Sequence, residues 1–231
     1  MTYTAEYFTN WTNERIQNLR VLSPWEPKDR QAQWVRGAIK ERTADGLRDL
    51  VVTAPKMRVC FSGCNWNRVV FAMNGAADQQ AYQFEQWLYT VAEKVKSSIW
   101  ADPGSFRTGA VSSARFTFDD DFIKPANDPA LYPDELRCKL STKRIKEGDV
   151  DIDVSDADLF TQDEDGSLSP ILPANILAGS HIIPVIKLSY YRYGERFGIQ
   201  LHILRGLVFP ANDVRTKIDN SEYIMDYPME V

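Results

Sequence analysis

The stretch Ile182 to Phe209, IIPVIKLSYYRYGERFGIQLHILRGLVF, constrains this chain more than any other, because it reads as two long facing strands joined by a tight turn. In the first strand Ile183, Val185, Lys187, Ser189 and Tyr191 share one parity, and Ile182, Ile186, Leu188 and Tyr190 share the other. Both parities are largely apolar until the turn, which predicts a strand covered on both sides near its start and more open near Tyr190. The second strand alternates more clearly, with Phe197, Ile199, Leu201, Ile203 and Arg205 on one face and Gly198, Gln200, His202 and Leu204 on the other. Gly194 stands where the turn needs a positive φ, among Arg192, Tyr193, Glu195 and Arg196. A hairpin of this length needs a sheet around it.

The remaining segments supply one. Leu50–Phe61 reads as a strand pair or one bent strand, with Pro55 forcing an edge or a bulge, and Lys56 and Arg58 at one parity. Asn65–Met73 reads as the next strand, with Trp66, Arg68, Val70 and Ala72 together on one side. Further strands are expected over Ala114–Phe118 and Glu135–Ser141, the latter with Arg137 and Lys139 opposite Leu136, Cys138 and Leu140. Asp78–Trp100 is the clearest helix: Ala81, Phe84, Leu88, Val91, Val95 and Ile99 form an apolar stripe, and Asp78 can cap it. The fold class is therefore mainly β with one long helix.

Around this domain, taken as residues 50–209 with an acidic insert at 147–166, lie two further segments. Residues 1–49 form an aromatic and basic extension, in which Trp11, Ile16, Leu19 and Leu22 fall at helical intervals before Pro24 and Pro27 interrupt. Trp25 and Trp34, flanking Lys28, Asp29 and Arg30, read as packing rather than stacking residues, since large aromatics usually bury most of their surface. Residues 210–231 form a mildly acidic tail.

The hairpin tip carries the first chemical signal. Lys187, Arg192, Arg196 and Arg205 stand against only Glu195 and are interleaved with Tyr190, Tyr191, Tyr193 and Phe197. Aromatic faces stack on unpaired bases while cations follow phosphates, so this mixture suits a single-stranded nucleic acid; an ordinary exposed hairpin can show the same composition. The net charge of −5 does not exclude such a ligand, because charge is sorted along the chain. Residues 1–58 hold ten Lys/Arg against seven Asp/Glu, whereas residues 119–165 hold six against fifteen.

Other chemistries find little support. Cys60, Cys64 and Cys138 read as free thiols, and with His181 and His202 far from them in sequence no zinc site is expected. The acidic run through Asp149, Asp151, Asp153, Asp163 and Asp165 does not fit a calcium-binding loop, and no divalent cation is assigned to it. There is no Gly-rich phosphate loop, nucleophile elbow or paired-histidine zinc helix, so no enzyme and no cofactor is expected. No signal-peptide pattern and no bilayer-length apolar run is present, which places the chain inside a cell and away from membranes.

The order of elements, with APKMRV at Ala54–Val59 and RFGIQLHILRGLVF at Arg196–Phe209, resembles the single-stranded DNA-binding proteins of large DNA viruses and, more distantly, of phages. That resemblance covers roughly Leu50–Phe209. It implies an elaborated oligonucleotide-binding fold, an antiparallel barrel whose groove holds single-stranded DNA during replication and recombination. The expected interface takes Lys56, Arg58, Arg68, Lys187, Arg192 and Arg196 for phosphates, and Trp66, Tyr191, Tyr193 and Phe197 for bases. Replication proteins meeting the C-terminal tail, and a homo-oligomer, are further expected partners. The competing expectation is a β-rich interaction or virion structural protein whose hairpin aromatics contact protein.

Overall fold

The computed structural model describes residues 5–23, 34–61, 67–73, 78–106, 116–119, 122–129, 131–147 and 150–211. Its elements begin with β1 (Glu6–Tyr7), α1 (Asn13–Gln17), β2 (Arg20–Val21), β3 (Trp34–Thr43), β4 (Gly46–Asp49), β5 (Val51–Thr53), β6 (Met57–Arg58) and β7 (Arg68–Met73). After α2 (Gln79–Ala101) come β8 (Thr117–Asp119), β9 (Ile123–Lys124), β10 (Asp134–Leu140), β11 (Thr142–Glu147) and β12 (Val150–Ser155). The chain then forms β13 (Asp158–Gln162), β14 (Leu168–Pro170), β15 (His181–Tyr193) and β16 (Arg196–Phe209). Mainly β with one long helix, as expected, is what is found.

The hairpin β15–β16 is the hub of the sheet. Gly194, at φ 59°, makes its turn. Along its outer edge β15 pairs in succession with β6, β5 and β3, and β16 pairs with β13, β10 and β8. Both strands are long enough to serve three short partners each. From β10 the pairing continues to β7, and the Val59–Phe71 bridge joins β7 to the end of β6, which returns to β15. The sheet thus curls until its hydrogen bonding comes back on itself. The expected antiparallel pattern needs amending: β8, β10 and β13 all run parallel to β16, and β1 runs parallel to β5.

Helix α2 lies against this curled sheet. Asp78 begins it, its Oδ1 accepting from the backbone N–H groups of Gln80 at 3.0 Å and Ala81 at 3.1 Å. Ala81, Phe84, Leu88, Val91, Val95 and Ile99 are all buried, and they pack in one core with Phe71, Leu136, Leu188, Tyr190, Phe197 and Leu201. Phe8, Trp11, Ile16 and Leu19 belong to that same core. The boundary expected at residue 49 is therefore not a boundary in the structure, because β3 and β5 pair with the same strand and the first helix fills the same interior.

Charge fastens the N-terminal elements together. Arg15 bonds Glu6 at 2.7 Å and Glu41 at 2.6 Å, and Arg48 bonds Glu41 at 2.5 Å and Glu6 at 3.1 Å. One network of two cations and two anions thereby links β1, α1, β3 and β4. Space is matched as closely at Gly37 of β3, where a Cβ would stand 1.9 Å from the ring of Tyr190. Tyr190 uses the gap to donate its hydroxyl to the Leu22 carbonyl.

The acidic insert divides in two. β11 and β12 form a separate two-stranded sheet, in register from Thr142↔Ser155 to Glu147↔Val150. The turn between β13 and β14 is closed by Ser167 and Ser169, which donate to Asp163 and Asp165. Among the described residues, no three His, Cys, Asp or Glu side chains gather as a metal cluster, and no helix is long and apolar enough to cross a membrane. Asp149 and residues 212–231 of the tail lie outside the described residues.

Candidate nucleic-acid interface

A strand offers its side chains alternately to two faces, and the pairing registers fix which residues share the outer one. From Tyr191↔Arg36 and Tyr193↔Trp34, the outer face of β3 holds Trp34 and Arg36 beside Tyr191 and Tyr193 of β15. From Tyr191↔Gly198, Ser189↔Gln200 and Lys187↔His202 it continues onto β16. Lys139↔His202 and Lys139↔Arg68 then carry it across β10 to β7. Five strands contribute to one surface.

At its centre is a hollow of about 260 Å³ lined by Trp34, Arg68, Asp119, Arg137, Lys139, Tyr191 and Gln200, among others. Trp34 is 41% exposed. The Arg36 guanidinium and the Lys139 ammonium lie 5.5 and 5.6 Å from its ring centroid, a cation–π arrangement that keeps both charges beside the indole. Tyr191 lies over Gly198, where a Cβ would come within 2.6 Å of its hydroxyl, and it donates to Asp119 Oδ2 at 3.1 Å. Glycine is what lets this ring approach the sheet.

Cations outnumber carboxylates in the lining of the hollow, where Arg68, Arg137 and Lys139 stand with Asp119. Arg137 is paired with Glu135 at 2.9 Å, and Lys187 with Asp49 at 2.5 Å. Among the described residues Arg36, Arg68 and Lys139 have no carboxylate within ion-pair reach. Burial pulls Lys139 below the usual lysine value, and the neighbouring charges of Arg68 and Arg36 pull it further; burial does the same to Arg36. Three like charges held close, outnumbering the Asp119 carboxylate that lines the same hollow, form a surface that an anion relieves.

His202 registers the same field. Burial first, then Arg36, Lys139 and Lys187, lower it from the ordinary 6.5 to about 3. Between those two values the unfolded chain binds a proton that the folded chain does not, so stability rises with pH across this window and is lost as pH falls from about 6.5 towards 3. Replacing His202 with leucine is expected to flatten the part of the urea-midpoint profile that lies between these pH values. An unchanged profile would contradict the neutral assignment.

The structure divides the residues expected at the interface. Arg68 and Tyr191 line the hollow, and Lys187, Tyr193 and Arg196 share its face. Arg192 and Phe197 do not: they occupy the opposite parity and turn inwards. Arg192 is only 4% exposed and donates from Nη1 to the Phe106 carbonyl at 3.0 Å. Phe197 is buried against Phe116, with ring centroids 4.9 Å apart, and against Trp100 and Tyr190, each at 6.4 Å. Lys56 and Arg58 lie at the far end of β15, where Arg58 pairs with His181 and the Lys56 ammonium sits 4.0 Å over the Phe209 ring. Trp66 falls outside the described residues.

Trp34, Arg36, Lys139 and Gln200 were not among the expected residues. Their signal lies in plain alternation: in WVRGAIK, Trp34, Arg36, Ala38 and Lys40 fall at one parity and Val35, Gly37 and Ile39 at the other. Reading Trp34 as part of a packing arm hid the strand.

No family model matches this chain, and no curated protein matches it. Among solved structures, it is similar to gp2.5, a single-stranded DNA-binding protein encoded by bacteriophage T7. The identity is 12% and the TM-score 0.46, over 73% of this chain and 97% of that one. It is also similar to the single-stranded DNA-binding protein from bacteriophage Enc34, at 9% identity and a TM-score of 0.40, over 88% of this chain and 98% of that one. Both are phage proteins, the more distant of the two groups that the sequence resembles. These scores describe a partial likeness of shape, so the function is argued from the face itself.

Proposed function

We propose that this chain binds single-stranded DNA along the outer face of β3, β15, β16, β10 and β7, and that it does so as a stoichiometric binder rather than an enzyme. The observation that carries this reading is the association of Trp34 and Tyr191 with three cations that have no carboxylate partner among the described residues, Arg36, Arg68 and Lys139. Unpaired bases need a flat surface to stack on, and their phosphates need cations within reach of it. A rigid duplex hides its base faces and cannot use the aromatic half of this surface. The setting proposed for such a protein is DNA opened during replication or recombination inside a cell, the host cytoplasm or nucleus for a viral chain. Self-association and contacts of the tail with replication proteins are further parts of the proposal.

The test is fluorescence anisotropy of a labelled oligothymidine at a series of salt concentrations, with a duplex of equal length as control. Single-strand binding tighter than duplex binding and weakening with salt supports the reading, and no binding at low salt overturns it. Each phosphate contact contributes about 0.7 to the slope of log affinity against log salt for single strands, so Lys139→Gln is expected to reduce that slope by about 0.7. An unchanged slope would remove Lys139 from the contact.

A further inference from the structure

Beneath the cations and aromatics, the outer face has a polar floor. Ser189 is 2% exposed, His202 8% and Gln200 9%, although all three lie on the side of the sheet away from the core. Ser189 stands between Ala38 and Gln200 in register, and its hydroxyl has no hydrogen-bond partner among the described residues. A buried hydroxyl without a partner costs stability. His202 Nε2 lies 2.9 Å from Gln200 Oε1. With the amide oxygen facing the ring, the bond requires the His202 tautomer protonated at Nε2, and this leaves the Gln200 amide N–H groups for another acceptor. Gln200 lines the hollow directly, with Trp34 and Tyr191.

Resting on the single-strand reading above, we propose that Gln200, oriented by His202, hydrogen-bonds the edge of a base stacked in this hollow, with Ser189 as a second polar group in the floor. Every base carries ring nitrogen or carbonyl acceptors on an exposed edge, so such a contact tolerates sequence while requiring a base that can accept. The face therefore recognises a base by its edge as well as by its flat surface. His202 is a positioning residue, since it acts through the amide.

The experiment compares an oligothymidine with an oligomer of the same length built from 2,4-difluorotoluene nucleotides, which keep the shape of thymine and lose its hydrogen bonding. The wild-type protein and Gln200→Met, which keeps the length of the side chain without the amide, are titrated with both. One neutral hydrogen bond corresponds to about a two- to tenfold preference for thymine in the wild type. Gln200→Met should equalise the two oligomers, and His202→Leu should narrow the preference while binding to the isostere is kept. Equal binding of both oligomers by the wild type overturns the inference and leaves the single-strand reading standing. A preference that persists in Gln200→Met likewise overturns it. Failure to bind either oligomer overturns both. Because the wild-type ratio is decisive alone, the test survives a variant that does not fold.

Discussion

Trp34→Ala is expected to lower affinity for single-stranded DNA by about ten- to a hundredfold while barely moving the melting temperature. Stacking of a base on an aromatic side chain is worth about 1–3 kcal/mol, and each ~1.4 kcal/mol is a factor of ten in affinity. Trp34 carries more than its own ring, because Arg36 and Lys139 both sit beside the indole and lose that seat in the variant. Its exposure explains the small expected effect on stability: 41% of its surface already meets water, and Val35 on the other parity is the residue that enters the core. Anisotropy titration and thermal melting of the same preparation check both halves. A large fall in melting temperature with full affinity would return Trp34 to a packing role.

Phe197→Ala is expected to do the reverse and destabilise the fold by about 3–5 kcal/mol, the usual range for truncating a buried phenylalanine. Phe197 is fully buried, and its ring meets Phe116, Trp100 and Tyr190 at centroid distances of 4.9 to 6.4 Å. Truncation leaves a cavity under the turn of the hub hairpin, where β8 also pairs. Urea denaturation measures the loss, and the folded fraction should keep its affinity for oligothymidine, since no atom of Phe197 reaches the outer face. A stable variant that loses binding would contradict the inward assignment.

The two variants mark what could be read from the sequence. The hairpin, its turn at Gly194, the α2 stripe and the sharing of one face by Lys187, Ser189 and Tyr191 were legible, because period and turn chemistry act locally. Composition alone does not divide the hairpin residues between the two faces of the sheet. Arg192 and Phe197 sit one residue from Tyr191, Tyr193 and Arg196, and only parity separates the interior from the surface. Lys56 and Arg58 share an alternating pattern with the proposed face, but long-range pairing puts them at the other end of β15, which no local signal records. The N-terminal segment was opaque for a related reason. Glu6, Glu41, Arg48 and Arg15 look like surface charges, yet they satisfy one another across four elements and let β3 and β4 pack into the body of the fold.

DNA is proposed to lie across the β3–β15–β16–β10–β7 face. The most direct measurement is photo-cross-linking of a 5-iodouracil oligonucleotide to the full-length protein, with the attachment points located by mass spectrometry. Attachment is expected at Trp34 and Tyr191, with Tyr193 at the margin and none at Phe197. Attachment confined to segments away from this face, such as the exposed Tyr82 of α2, would contradict it.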